Sequence, residues 1–425
     1  MLDIKFIREN KDLIALAAKK KFVAFDIEEL LTTDDLRKAK LQSVEKKRTE
    51  QNIVSDKVAK ATNPTEREAM IFEMRKFKAD LQKEEHELED IMKKWRNLML
   101  LVPNIPDMTV PEGTSDADNQ EVKKWGELPQ FSFTPKGHIE LMENLGMVDF
   151  LRGAKVAGFR GYFLKDAGVT LSFAIWNYAL SFFMKKGFPP MIVPSLVRRE
   201  NLLGTGFIPQ GEEDLYKTQD GDFMAGTAEV ATMGYHADEV LSMEDLPKKY
   251  ISFSPCFRRE AGSHSKDVKG LIRVHEFYKF EQVVLCEANH ETSVKFHEEL
   301  TRNTEEFIES LGIPYRRVVN CGGDLGLGQV KKYDLELWVP LENKYREIAS
   351  ASYFHDFQTR RLNIRYKDAE GKMKFAHSLN NTACPTPRIL VSLVENYQQA
   401  DGSVLIPEIL RSYLGGQSVI TPKKA

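Results

Sequence analysis

The chain has 425 residues, enough for two or three domains with a large buried core, and its 42% hydrophobic and 29% charged content is ordinary for a globular protein. Its 60 basic residues against 63 acidic ones leave a formal charge of −3, so bulk charge makes no case for nucleic acid and any RNA contact must come from a local basic patch. Cys256, Cys286, Cys321 and Cys384 lie far apart, which argues against a structural zinc site or a disulfide framework and suits a reducing cytoplasm; the acidic start and the lack of a long apolar run predict neither a signal peptide nor a membrane span.

Residues 34 to 102 contain one proline and no glycine and are dense in Lys, Glu, Arg, Asp and Gln. From Met70 the apolar positions run Met70, Met74, Phe77, Leu81, Leu88, Ile91, Trp95, Leu98 and Val102, in steps of four and three broken once at Glu84. This is the seam of a coiled coil. A helix over 66–101 would be about 54 Å long and needs a partner helix to be stable in water. The preceding segment, about 34–61, supplies one. Thr32 and Asp35 can form its capping box, and Leu41, Val44 and Val58 fit the seam, although Arg48, Gln51 and Ser55 share the stripe. Ala61-Thr62-Asn63-Pro64-Thr65 breaks the helix, and Thr65 with Glu68 can cap the next. An antiparallel hairpin is expected, whose bland alternative is a coiled-coil dimerisation element. Its first helix has a basic excess in Arg37, Lys38, Lys40, Lys46, Lys47, Arg48, Lys57 and Lys60.

Val102-Pro103-Asn104-Ile105-Pro106 ends the hairpin, and beyond a loop with Pro111 and Gly113 the texture changes. Short β-rich runs (191–194, 250–254, 280–285, 315–320, 335–339) alternate with helical patterns over 171–186, 291–311 and 389–399. The polar–apolar alternation of Leu335-Glu336-Leu337-Trp338 favours an antiparallel sheet packed on one face by helices. Ser418 to Ala425 reads as a loose tail.

Three segments carry chemistry. Lys186-Gly-Phe-Pro-Pro-Met-Ile-Val-Pro194 turns an amphipathic helix into a strand, a feature that by itself is most often core. In the second, Phe257-Arg258-Arg259-Glu260-Ala261-Gly262 follows a strand, a basic loop (Ser263–Gly270) comes next, and Leu271-Ile-Arg273-Val-His-Glu-Phe277 leads through Tyr278-Lys-Phe to Glu281. Two strands joined by a long, mobile, positively charged loop are expected, with His275 inside the second strand as a packing residue. Two arginines, a phenylalanine and a glutamate suit a nucleotide: a fork for phosphate, a face for a base and an acceptor for an exocyclic amine. A surface hairpin with ordinary ion pairs is the competing reading. In the third, Ser378-Leu-Asn380-Asn381-Thr382 runs into a helix that opens at Pro387-Arg388, adding a cation to an anion-binding helix start.

In this order and spacing the three segments resemble motifs 1 (about 171–198), 2 (about 250–285) and 3 (about 378–400) of class II aminoacyl-tRNA synthetases. Thr227-Ala228-Glu229, Phe257 to Ser263 and Leu379 to Thr382 are similar to the seryl-tRNA synthetase family, as is a helical hairpin ahead of the core. The resemblance covers Met1 to about Gly416 and implies an α+β fold: residues 1–102 a tRNA-binding domain with a coiled-coil arm, residues 103–425 a class II catalytic domain. It implies that L-serine is activated with ATP and Mg2+ and transferred to tRNA(Ser), and leaves tRNA(Sec) open. A cytoplasmic homodimer held by motif 1 follows from it, through an apolar helix bearing Phe173, Trp176, Leu180 and Phe183.

By the same resemblance, Arg258 would hold the α-phosphate and the serine carboxylate, Glu260 the adenine amino group and Phe277 the adenine face. Arg273 and Arg388 would hold the outer phosphates, and Glu347, with Ser350 near it, the magnesium. Arg259, Val274, Ile348 and Ala349 complete the ATP site, and Thr227, Ala228, Glu229, Arg258, Glu281, Asn380 and Thr382 the serine pocket. The residue types agree with the chemistry. Attack of a carboxylate on an α-phosphate brings anions together, so fixed positive charge matters more than a general base. A pocket of Glu and Thr leaves polar groups unpaired if alanine enters, while threonine has to be excluded by size.

Gly322-Gly-Asp-Leu-Gly-Leu-Gly328 lacks the lysine and spacing of a P-loop and reads as a turn between strands. His290 and His297 lie on a polar helix without matching cysteines, which argues against a metal. Two other functions use parts of the same inventory: an amino acid:carrier-protein ligase, which lacks the long arm, and a non-catalytic RNA-binding paralogue, which need not keep Arg258, Glu260, Glu347 or Arg388.

Overall fold

The computed structural model describes residues 1–262 and 267–422, so residues 263–266, the first half of the expected basic loop, and the tail from 423 to 425 lie outside the described residues. The chain forms two compact units, Met1–Lys19 with Val23–Pro103, and Lys20–Phe22 with Asn104–Ala425.

The first unit is helical: α1 (Ile4–Glu9), α2 (Lys11–Lys20), α3 (Ile27–Lys60) and α4 (Pro64–Leu101). α3 starts earlier than expected because Asp26 caps it, Oδ1 accepting from the backbone of Glu28 (2.9 Å) and Glu29 (3.1 Å). Thr32 and Asp35 thus lie inside the helix rather than forming its cap. α4 is capped by Asn63, which accepts from Thr65 N at 3.1 Å, with Pro64 in the first turn, not by Thr65 and Glu68. The two helices close on Val44, Leu81 and Leu88, with Leu41 and Met92 alongside. Glu84, the break in the seam, accepts from Ser43 Oγ (2.8 Å) and pairs with Lys47 (3.0 Å), so the polar residue is satisfied across the hairpin. Lys40–Glu87 (2.7 Å) and Arg48–Glu85 (2.8 Å) flank it. Near the base, Arg8, Arg37 and Lys38 converge on the buried Asp34. Burial by itself would raise the Asp34 carboxyl, and the three cationic donors outweigh it and bring it down to about 2.

The second unit is built on an eight-stranded sheet. In chain order its strands are β1 (Gln120–Trp125), β2 (Pro190–Ile192), β3 (Lys248–Phe257), β4 (Glu276–Cys286), β5 (Tyr315–Val319), β6 (Lys331–Val339), β7 (Lys344–His355) and β8 (His377–Thr386). In space they run β1-β5-β6-β7-β8-β4-β3-β2. Every pairing is antiparallel except β2 on β3 at the edge. The helices that position the site are α5 (Ala167–Lys185), α6 (Arg199–Thr205), α7 (Glu229–Gly234), α8 (His290–Ser310), α9 (Phe357–Leu362) and α10 (Arg388–Asn396).

Side chains alternate along a strand, so neighbouring positions on β4 and β8 serve opposite faces. On one face Gln282 and Asn381, paired in register, both donate to α8, at Leu300 O (3.1 and 2.6 Å) and Thr304 Oγ1 (3.1 and 2.9 Å). The other face, bearing Phe277, Lys279, Glu281, Asn380 and Thr382, is left for the cavity described below. A bulge between Phe280 and Glu281 sets Glu281 opposite Thr382.

Two further expectations change. α5 is by length and composition apolar enough to cross a membrane, although it holds no unbroken apolar run. Its apolarity is spent on packing, since Leu171, Ile175, Ala179 and Phe183 are fully buried in the core. Phe183 is therefore unavailable for an interface. The C-terminal segment is not loose throughout: Val419–Ile420 pairs with Val404–Leu405, and Ile420 is buried.

Candidate active site

The open face of β4 and β8 forms the floor of a cavity of about 360 Å³. β7, the starts of α7 and α10, the segment between β3 and β4, and the loop 326–329 make its walls.

One end carries the arginines. Arg258 follows β3, its backbone N–H on His275 O at 3.0 Å and its guanidinium 5.6 Å from the Phe277 ring centre. Arg273 donates to Glu260 (2.9 Å) and to Asp267 (3.0 Å), and Asp267 also takes Arg346 at 2.5 Å. Glu260 holds this position with φ of 54°, a left-handed conformation uncommon for a non-glycine residue. Arg388 opens α10 and is aimed by two carbonyls, Ile272 O and Glu347 O, both at 2.8 Å. The Glu347 side chain is exposed toward the cavity with Ser350 half-buried beyond it.

The other end carries the carboxylates. Glu281 accepts from Thr227 Oγ1 (3.2 Å) and Thr382 Oγ1 (3.4 Å) and makes a very short ion pair with Lys279. Lys279 Nζ in turn donates to Thr227 Oγ1 (2.9 Å) and Thr382 Oγ1 (3.3 Å). Glu229, at the start of α7, accepts from Gln358 Nε2 of α9 at 2.6 Å. Burial, and then the charge of Glu281, push the Glu229 carboxyl up to about 7 against the opposing pull of Gln358, Lys279 and Asn380.

Thr227, Glu229, Arg258, Glu260, Arg273, Val274, Phe277, Glu281, Glu347, Ile348, Ser350, Asn380, Thr382 and Arg388, dispersed over 160 positions of sequence, all line this one cavity. Three residues of the expected set do not. Arg259 is exposed, its guanidinium on Glu213 O at 3.0 Å; Ala228 is buried before α7; and Ala349 points into the core, because alternation along β7 turns it away from the face of Ser350. His275 precedes β4 rather than lying in it, and its ring Nδ1 meets the Tyr216 hydroxyl.

Sequence reasoning missed Lys279, Gln358 and the loop 326–329. The signal for Lys279 was present: Phe277, Lys279 and Glu281 are two apart on one strand and so share a face. Gln358, which holds Glu229 from behind without lining the cavity, and the loop have no such signal, because both arrive only through tertiary contact.

A mostly antiparallel sheet with arginines at the ends of its central strands and a carboxylate pocket between them is the architecture of class II aminoacyl-tRNA synthetases. Residues 216–397 match the "tRNA synthetase class II core domain (G, H, P, S and T)". Residues 1–106 match the "Seryl-tRNA synthetase N-terminal domain". The chain is 46% identical over 421 residues to the serine--tRNA ligase of Deinococcus radiodurans, covering 99% of both chains, and 41% identical to that of Treponema denticola, covering 98% of this chain and 99% of the other. It superposes on the seryl-tRNA synthetase of Pyrococcus horikoshii complexed with ATP with a TM-score of 0.87 at 37% identity over 100% of both chains. A prolyl-tRNA synthetase of Giardia lamblia, at TM-score 0.56 and 16% identity over 64% of this chain and 54% of the other, shares the fold only. The chain belongs to the seryl-tRNA synthetase family.

Proposed function

We infer that this chain is a serine–tRNA ligase that joins L-serine to ATP as seryl-adenylate and passes the seryl group to tRNA. The observation that carries this is the pairing of two unlike ends in one cavity. Arginines suit a triphosphate, and a buried Glu229–Glu281–Lys279–threonine cluster suits a small ligand with ammonium and hydroxyl groups. Phe277 offers a face to adenine and Glu260 an acceptor for its amino group. Arg258, 5.6 Å from the Phe277 ring centre, would hold the serine carboxylate against the α-phosphate, with Arg273 and Arg388 on the outer phosphates. Glu347 and Ser350 supply hard oxygen donors that fit Mg2+. Among the described residues no group of three or more His, Cys, Asp or Glu side chains is arranged for a metal, so such an ion would take its remaining ligands from phosphate and water. When bound, magnesium neutralises charge on the phosphates.

The α3–α4 hairpin suits a tRNA-gripping arm. Its free positive charge is narrower than composition implies: of the α3 basic residues Lys46, Lys57 and Lys60 make no ion pair among the described residues, while Lys40, Lys47 and Arg48 are engaged with α4. Phe173 (55% exposed) and Ile192 (87%) leave an apolar surface on motif 1 that a C2 partner would cover. All four cysteines are free and buried, which suits the cytoplasm.

ATP–pyrophosphate exchange tests the reading. Serine should drive it, alanine and threonine should not, and the enzyme should then charge tRNA(Ser). Exchange with another amino acid in preference to serine would overturn it, and a fully active monomer in sedimentation would remove the homodimer.

A further inference from the structure

Lys21 is a buried lysine with 4% exposure, and among the described residues no carboxylate comes within ion-pair distance of it. It belongs to the short segment Lys20–Phe22 that is part of the second compact unit although it lies some 80 residues ahead of the rest of that unit. The segment is seated by close backbone approach: a side chain at Gly322 would stand 2.2 Å from Lys20 O. That explains one glycine of the run 322–328 better than a simple turn does.

The Lys21 ammonium donates to three carbonyls, Gly326 O (3.1 Å), Leu327 O (2.9 Å) and Gln329 O (2.5 Å). An ammonium has three donors and no acceptor, so the three bonds satisfy it completely. Burial pushes the Lys21 ammonium well below the ordinary lysine value, and the three carbonyl dipoles are the groups that face its charge. Asn104 secures the rest of the loop: its backbone N–H reaches Leu327 O (2.9 Å), and its amide reaches Gly328 O (2.9 Å) and Phe354 O (2.8 Å). Every carbonyl from 326 to 329 is thus held by Lys21 or Asn104.

The loop lines the cavity. Inside it, Gln329 Oε1 accepts from Gly326 N (2.6 Å) and Gln329 Nε2 donates to Ser352 Oγ (2.8 Å). Ser352 stands opposite Asn380 in the β7–β8 register, and Asn380 faces Glu229. A continuous chain of contacts therefore runs from Lys21 to the carboxylate end of the cavity, and the arginine end is not on it.

We propose that Lys21 is a positioning residue for the amino-acid end of the site: its ammonium holds the loop 326–329 so that Gln329 and Ser352 keep Asn380 in place beside Glu229. The proposal rests on the reading of the cavity as a serine and ATP site. Its premise is that the loop needs a cation at three carbonyls rather than merely bulk.

The test is exchange kinetics on full-length protein. Wild type must first show serine-dependent exchange; if it shows none, the functional reading fails and not this proposal. Lys21→Ala should then raise the serine KM about tenfold or more while the ATP KM stays within about twofold. Ammonium or methylammonium chloride should restore the serine KM by occupying the vacated carbonyl cage, and tetramethylammonium chloride, too large for it, should not. Gln329→Ala, which leaves Lys21 in place, should reproduce the serine-selective effect in a folded protein even if Lys21→Ala folds poorly. An unchanged serine KM in Gln329→Ala overturns the proposal. So does a Lys21→Ala enzyme whose serine and ATP constants deteriorate together, or whose serine KM ammonium does not lower.

Discussion

The hairpin and the cavity both place lysine beside glutamate, and the two arrangements do opposite work. In Lys40–Glu87 the side chains are 24% and 45% exposed; in Lys279–Glu281 they are 6% and 3% exposed. On the hairpin, water screens the pair and competes for each partner, so the pair tunes register and solubility while Val44, Leu81 and Leu88 hold the helices together. In the cavity neither partner can return to water, and removing one leaves the other stranded at a cost of about 3–5 kcal/mol. Charge on an exposed helix is thus replaceable in detail, and charge on the sheet floor is not.

The sharpest way to separate the two regions is to remove the hairpin tip. Ser43 and Glu84 touch across the helices, so joining them with a short glycine linker deletes residues 44–83 and keeps the Asp34 cluster at the base. Serine-dependent exchange should survive nearly intact, because every cavity residue lies outside the deletion, while tRNA charging should be lost. Equal loss of both activities would show that the tip is needed by the adenylation site; undiminished charging would remove it as the tRNA-binding element.

Next in size is Glu281→Ala. It strands the Lys279 ammonium and strips an acceptor from Thr227 and Thr382, so kcat/KM for serine should fall by about 100-fold or more with little change in the ATP KM. Serine activation at near wild-type efficiency would place the amino-acid pocket elsewhere.

Glu229 separates the buried sheet floor from the exposed hairpin through pH. Its folded pKa of about 7 lies above the ordinary 4.5, so the native state resists its ionisation. No penalty exists below about pH 4.5; it grows as pH rises through the folded value and is constant above it. Glu229→Gln should therefore gain stability relative to wild type between pH 5 and pH 8, by an upper bound of about 3 kcal/mol in denaturant titrations of the ligand-free enzyme. A pH-independent difference would mean the carboxyl is not shifted.

The smallest effect belongs to the hairpin. Lys40→Ala should move the thermal midpoint by no more than about 2 °C and leave exchange unchanged, as expected of a solvated pair. A larger shift would mean that water does not screen the Lys40–Glu87 pair.

Local pattern made much of this legible in advance. The four–three spacing from Met70 announced the hairpin, and its one polar break, Glu84, was visible as a break although its partners Ser43 and Lys47 were not. Helix starts were misjudged where two capping residues competed, by two positions for Asn63 against Thr65 and by six for Asp26 against Thr32. In the cavity, Arg258, Glu260, Arg273, Phe277 and Arg388 stood out because residue type and order match a known constellation.

Local sequence carries what depends on near neighbours: the helical hairpin, the alternation that gives β4 and β8 two unlike faces, and the residue types at the motif positions. Which charges meet is set by the folded chain. Lys279 closes on Glu281 and two threonines because a bulge sets Glu281 opposite Thr382. Gln358 arrives at Glu229 from a helix more than a hundred residues on, and Lys21 reaches a loop some three hundred residues away. One cause is common to all three. A periodic pattern records which face of an element is buried, whereas a buried polar group chooses its partner by distance in the folded chain, and that distance has no trace in local sequence.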